Sequence, residues 1–294
     1  MIGFMVFFLF SCQAISILAT AQETAEEWFN KAKDAETNDL KIEYYTEAIE
    51  LNPEYAEAYV NRAIAYFNLG EYENAIDDYT RAIRITPKDA SIYNRRGSAY
   101  YRLGEYQKAL DEYNRAIKLD PNNKLYYLNR GTAYYNLGEY QKGIDDFTKA
   151  IELDPQYTSA YDWRGSAYYR LGEYQKAIAE YTKAIKLNPE NAVYYNSRGN
   201  SFYNLKEYLK AIPDYSRALE FNPEYAWAYW NRGNAYMSLK NFNKKAFGDY
   251  YQAGLLFIEQ KNKSQALKCV EQMKKIEPSN FLINVLEDKI KLLN

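Results

Sequence analysis

Six prolines, Pro53, Pro87, Pro121, Pro155, Pro189 and Pro223, stand 34 residues apart. Self-similarity at one fixed period constrains a chain more than any composition can. Each copy is one supersecondary unit that cannot bury its apolar face alone, so the copies must stack on one another. An array of this kind usually presents a surface and not a catalytic pocket, so the period also narrows the functions open to the chain.

The unit between Asp89 and Pro121 shows what is being repeated. Tyr93, Arg96, Gly97 and Tyr100 keep the i, i+3, i+4, i+7 spacing of a helical stripe. Leu103-Gly104-Glu105-Tyr106 then breaks it, with Gly104 placed to end a helix in the left-handed conformation. A second stripe, Ala109, Tyr113 and Ala116, runs to a stop at Asp120-Pro121. The reading is two antiparallel helices joined by a tight turn.

The columns hold from copy to copy. A first aromatic recurs as Tyr59, Tyr93, Tyr127, Tyr161, Tyr195 and Tyr229. A small residue follows four later, Ala63 and then Gly97, Gly131, Gly165, Gly199 and Gly233. Glycine costs a helix about 1 kcal/mol, so the column predicts close approach of a neighbouring backbone. A second aromatic follows as Tyr66, Tyr100, Tyr134, Tyr168, Phe202 and Tyr236. Together these resemble the signature of the tetratricopeptide repeat family, strongly over Ala56–Pro223 and weakly at both ends. The resemblance implies an all-α, right-handed α-solenoid of helix-turn-helix repeats that binds protein or peptide partners.

Departures from the pattern mark the ends. Residues 22–55 read as a degenerate N-terminal repeat and 56–225 as five regular units. Residues 226–294 read as a sixth unit, a divergent repeat and a capping helix over Asn280–Leu293. The sixth unit has one extra residue in its turn near Asn241–Lys244, and Ala246–Gln260 reads as one long helix. Gly143 stands where the other second helices have alanine, and Pro213 falls inside a second helix, which predicts a kink or a lost backbone hydrogen bond.

Residues 1–21 are of another kind. Ile2–Phe10 is almost wholly apolar, and Ala19-Thr20-Ala21 fits a small-x-small cleavage site with Gln22 as the mature N-terminus. The segment reads as a signal peptide, with a lipoprotein signal at Leu9-Phe10-Ser11-Cys12 or a membrane anchor as the other readings. Export to a bacterial periplasm, cell envelope or exterior is the expectation, with membrane association through the N-terminus only. Removal of the signal leaves Cys269 as the sole thiol, a small core residue with no disulfide to make.

Composition argues against chemistry. There is no histidine, no phosphate-binding glycine loop, no CxxC pair and no nucleophile elbow. No catalytic residue, metal site or cofactor is expected. A net charge of −2 with interleaved signs offers no basic stripe for nucleic acid. Most of the 33 tyrosines fall in core columns, so packing explains them.

Two columns remain. Arg62, Arg96, Arg130, Arg164, Arg198 and Arg232 precede the small residue in each unit, and Asp78, Glu112, Asp146, Glu180, Asp214 and Asp249 precede the second-helix aromatic. These are either a cation ladder for an anionic ligand or six ion pairs within units. The pairing is favoured, because an unpaired charge beside a core is costly.

The other column is a stripe on each first helix, one residue beyond the core stripe. It includes Asn94 and Tyr101, Tyr135, Tyr169, Asn196, Asn200 and Tyr203, and Trp230 and Asn234, with Asn129 and Trp163 beside it. By resemblance, stacked first helices line a concave groove. Aromatic rings with a polar tip beside amides suit an extended peptide. A glycan stacked on the rings and a structural spacer are the alternatives. The stripe's leading column, Val60, Asn94, Leu128, Asp162, Asn196 and Trp230, lacks the lysine with which related co-chaperones hold a C-terminal carboxylate.

Overall fold

The computed structural model describes residues 23–239 and 241–293, so the export segment lies outside the described residues. Among those residues there are sixteen α-helices and no strand, in two compact units that divide between Pro87 and Lys88.

In the first unit, α1 (Ala25–Asp34) and α2 (Asn38–Leu51) form one pair, α3 (Ala56–Leu69) and α4 (Tyr72–Ile85) the next. Thr24 and Glu27 cap α1 reciprocally, each side chain bonding the other's backbone N–H. Phe29 is buried between Tyr45 and Tyr55, with ring centroids 5.4 and 4.8 Å away, and seals this end of the core.

The second unit repeats one hairpin five times. The first helices are α5 (Ala90–Arg102), α7 (Lys124–Asn136), α9 (Thr158–Arg170), α11 (Ala192–Asn204) and α13 (Ala226–Ser238). Their partners are α6 (Tyr106–Leu119), α8 (Tyr140–Leu153), α10 (Tyr174–Leu187), α12 (Tyr208–Phe221) and α14 (Asn243–Glu259). Successive first helices touch along the stack, so they form one continuous layer. Helix α14 also pairs with α15 (Lys263–Ile276), and α16 (Phe281–Lys291) packs on both. Leu286 of α16 is fully buried against Gly254 and Cys269, which closes the apolar end of the stack. Burial pushes the Cys269 thiol up to about 12, so it is an inert core group.

The glycine column does not serve the purpose its spacing suggested. A Cβ at Gly97, Gly131, Gly165, Gly199 or Gly233 would stand 2.6–3.0 Å from the ring of Tyr113, Phe147, Tyr181, Tyr215 or Tyr250. The space is therefore filled by the large aromatic of the same hairpin, not by a neighbouring backbone. Gly143 has its own reason: a Cβ there would meet the Gly131 carbonyl oxygen at 3.1 Å and the Phe147 ring at 3.4 Å. The unit with phenylalanine in the ring column is thus also the one whose facing helices meet through two glycines.

Hairpin turns close by the Schellman arrangement. The Gly104 N–H donates to the Tyr101 carbonyl at 3.0 Å and the Glu105 N–H to the Tyr100 carbonyl at 2.9 Å, with Gly104 at φ +79°. Lys206 takes the same position after α11, at φ +61°, and makes the same bond to Tyr203 at 2.8 Å. A side chain in that conformation costs about 1–2 kcal/mol, partly offset by the larger unfolded-state freedom of glycine. Lys206→Gly should therefore stabilise the chain by about 0.5–1 kcal/mol, read as a higher urea midpoint at unchanged slope.

Helix α12 runs unbroken through Pro213. Proline has no N–H, so the Leu209 carbonyl loses its i+4 donor. Pro213 lies on the exposed side of the helix and Leu209 is 70% exposed, where water replaces the missing bond. Exposure is why the proline is tolerated.

Candidate functional site

Tyrosine hydroxyls buried in the hairpins organise the outer face of the first helices. The Tyr113 hydroxyl donates to Ser98 Oγ at 3.4 Å, and Tyr181 and Ser166 share a hydroxyl bond of 3.2 Å. Tyr215 and Tyr250 donate to the side-chain oxygens of Asn200 and Asn234 at 2.9 and 2.8 Å. Each of these tyrosines is nearly sealed from solvent, and that burial raises its hydroxyl well above the ordinary phenol range. Phe147 has no hydroxyl, and the matching Thr132 donates instead to the Asn129 carbonyl at 2.8 Å. The stripe position thus answers the chemistry of the ring beneath it.

Asparagines link one unit to the next. Asn129 Nδ2 donates to Asn94 Oδ1 at 2.8 Å, and Asn231 Nδ2 donates to Asn196 Oδ1 at 3.0 Å. Asn196 Nδ2 also reaches the Tyr225 hydroxyl at 3.3 Å. Asn94 and Asn196 are only 7% and 6% exposed. These two positions, expected to face a ligand, are instead held between repeats, because the turn from one unit to the next brings the following asparagine over them.

The tyrosine ladder is more open. Tyr101, Tyr135, Tyr169 and Tyr203 meet the first tyrosine of the following helix, Tyr106, Tyr140, Tyr174 and Tyr208, at centroid distances of 5.2–5.4 Å. The Tyr101 and Tyr169 hydroxyls accept from Asn136 and Asn204 of the next unit at 2.8 and 2.9 Å. Arg170 stands at the corresponding place above Tyr135, its guanidinium carbon 5.9 Å from the ring centre. Trp163 lies edge-on to Tyr135 at 5.3 Å and stacks on Phe147 at 6.4 Å, and Trp230 packs on Tyr250 at 5.3 Å. Both tryptophans are half-buried; Trp163 serves the packing between units and Trp230 the packing within its own hairpin.

Two recesses open on this face. One of about 220 Å³ lies among Tyr135, Ser166, Tyr169, Arg170, Tyr181, Ser197 and Asn200. The other, of about 290 Å³, lies among Tyr169, Asn200, Tyr203, Asn204, Tyr215, Asn231 and Asn234. They share Tyr169 and Asn200 and so form one polar trough across four units. Of the residues expected to bind, Tyr135, Tyr169, Asn200, Tyr203 and Asn234 border it. Tyr101, Asn129, Trp163 and Trp230 do not. Arg170, Asn204 and Asn231 border it without having been expected. The periodicity that flagged Tyr169 extends to Asn136 and Asn204, one residue further along each first helix, and was the available signal.

Family profiles described as tetratricopeptide or TPR repeat match residues 44–77, 65–104, 97–138, 125–157, 165–206 and 199–240. The chain belongs to the tetratricopeptide repeat family. Among solved structures, a tetratricopeptide repeat protein from Parabacteroides merdae aligns over 91% of this chain and 98% of its own, with 20% identity and a TM-score of 0.64. MamA protein aligns over 58% of this chain and 93% of its own, with 26% identity and a TM-score of 0.53. PilF of Pseudomonas aeruginosa aligns over 80% and 97%, with 17% identity and a TM-score of 0.55. No curated protein sequence matches significantly.

Within these tetratricopeptide repeats the arginine column is structural. Each arginine pairs with the acid of its own hairpin: Arg62 with Asp78, Arg96 with Glu112, Arg130 with Asp146, Arg164 with Glu180, Arg198 with Asp214 and Arg232 with Asp249, at 2.6–2.8 Å. Aspartates take Nε and Nη2 on separate oxygens, whereas both glutamates take them on one. The remaining Nη1 crosses to the preceding second helix. Arg130 reaches Asn114 at 2.6 Å, Arg164 reaches Thr148 at 2.9 Å, Arg198 reaches Thr182 at 3.1 Å and Arg232 reaches Ser216 at 3.0 Å. One side chain therefore ties together three helices. The cation-ladder reading has no free guanidinium to rest on at these four positions.

Proposed function

We propose that this tetratricopeptide repeat chain is a protein-interaction scaffold that holds an extended segment of a partner protein along the first-helix face of Lys88–Asn294. The observation that carries this reading is the trough shared by Tyr169 and Asn200. Its walls are tyrosine rings with side-chain amides and hydroxyls between them, which give an extended backbone both apolar contact and hydrogen bonds. Binding of this kind is passive, and no catalytic role is proposed. The apolar segment before Gln22 supports a place in the cell envelope, reached by export.

A crosslinking pull-down from fractionated cells tests both parts. The parent chain is compared with a Tyr135→Ala, Tyr169→Ala, Tyr203→Ala variant of matched helicity. The expected result is a partner recovered by the parent in the envelope fraction and at least tenfold less by the variant. Equal recovery would move binding away from this face, and a cytoplasmic parent chain would end the export reading.

A further inference from the structure

Asp162 is the one ionisable residue in the leading column of the stripe. The matching residues in the other units of Lys88–Asn294 are Asn94, Leu128, Asn196 and Trp230. It lies one helical turn before Ser166 and two before Tyr169, both of which border the trough. Asn94 and Asn196 each receive an amide from the next unit, but the residue that faces Asp162 in the same relation is Ser197, itself on the trough wall. No hydrogen bond or ion pair reaches the Asp162 carboxylate among the described residues. Around it stand Tyr135, Tyr181, Tyr194 and Tyr225, from α7, α10, α11 and the turn before α13, each with its hydroxyl pushed up in part by the Asp162 charge. Burial is the one influence on Asp162 itself, and no cation of the chain offsets it.

We propose that Asp162 reads charge in the bound segment, taking the ammonium or guanidinium of a lysine or arginine that reaches it from the trough past Tyr135 and Tyr181. The inference rests on the reading of this face as the partner-binding surface. The chemistry is the one by which the chain holds its own cations. Arg164 lies between the Glu180 carboxylate and the Tyr161 ring, at 5.7 Å from the ring centre. Lys124 lies between the Asp154 carboxylate and the Tyr157 ring, at 4.7 Å. Asp162 presents the same acid beside the same kind of ring with the cation left for a partner to supply. A half-buried carboxylate is costly to keep charged, and an incoming cation removes that cost, so a neutral or acidic segment binds less well.

The test uses a phage library of random dodecamer peptides selected on the parent chain and on Asp162→Asn. Asparagine already occupies this position in two sister repeats, so the variant keeps the fold; Asp162→Glu retains the charge. The expected result is a consensus with one lysine or arginine selected by the parent and absent from the Asp162→Asn selection. The parent's best peptide should lose at least tenfold in affinity for Asp162→Asn, and a Lys→Gln peptide should lose no more on that variant. Affinity for the parent should fall as the pH drops below about 6, where the carboxyl takes up a proton. Peptides that bind parent and Asp162→Asn equally would overturn the assignment while leaving the groove reading intact. Failure of any peptide to be enriched, or enrichment unaffected by the triple tyrosine variant, would remove the groove reading and this inference with it.

Discussion

Arg130→Met should lower the unfolding free energy by about 3 kcal/mol. The guanidinium holds Asp146 through bonds of 2.8 and 2.6 Å and Asn114 through one of 2.6 Å. Asp146 is only 7% exposed at its side chain and Arg130 21%. Methionine keeps the apolar stem but leaves a buried carboxylate with its ionic partner gone, which is the costly outcome, whereas an exposed pair would cost under about 1 kcal/mol. Arg130→Met with Asp146→Leu should recover most of the loss, because removing both charges also removes the desolvation.

The same variant should show an acid signature. Burial holds the Asp146 carboxyl above its ordinary range even though the hydrogen bonds and charge of Arg130 pull it down. Without Arg130 only burial and the neighbouring Asp145 charge remain, so the carboxyl rises further. A group raised in the folded state favours folding in acid and loses that contribution as pH rises through its folded value. The deficit against the parent should therefore be small near pH 4 and full at pH 7.5. Urea denaturation at the two pH values reads it, with Trp163, stacked on Phe147, as a nearby fluorescent reporter. A loss below about 1 kcal/mol at pH 7.5 would show that solvent reaches the pair.

What the sequence revealed and what it concealed divide along one physical line. The 34-residue period carries much that is decided within a hairpin, Arg96 against Glu112 and the turn at Gly104 among it, although it marked Gly97 as room for a backbone where the Tyr113 ring lies. Contacts between hairpins depend on the rotation from one unit to the next, which no column of residues states. That rotation brings Asn129 over Asn94 and Asn231 over Asn196, and so hides two residues that the helical wheel placed on the open side. It also carries Nη1 of Arg130 and Arg164 to Asn114 and Thr148 of the preceding hairpin. The column Thr46, Thr80, Asn114, Thr148, Thr182 and Ser216 was visible as a period. Polar residues on a second helix read as solvated until a guanidinium from the next unit is seen to meet them. Breaks in a column carried the opposite lesson. Arg170, where sister units have Asn136 and Asn204, falls on the trough wall, and Asp162, where they have Asn94 and Asn196, lies one helical turn before Ser166 of that wall; at neither position does an amide link between repeats dictate the side chain.

Asp162→Asn should make the chain more stable at neutral pH, by about 2–3 kcal/mol. Burial pushes the Asp162 carboxyl up to about 6 from an ordinary 3.8, and no cation of the chain opposes the shift. Because the folded value is raised, the parent has the full benefit of a neutral carboxyl below about pH 4. It loses that benefit as pH rises through about 6, whereas asparagine is neutral throughout. The two chains should therefore unfold at nearly the same urea concentration at pH 4 and diverge between pH 4 and 6, with the variant ahead by a constant margin above pH 7. A pH-independent difference would mean that packing, not charge, separates them, and no difference would mean that water solvates the carboxylate fully in the fold. The same comparison with a selected lysine peptide present connects stability to binding. A ligand that binds only the folded chain stabilises it in proportion to its affinity, and a cation beside Asp162 should raise the parent more than the variant above pH 6. A position that weakens the empty scaffold and is repaid by a cationic partner is one where function, and not folding, has set the residue.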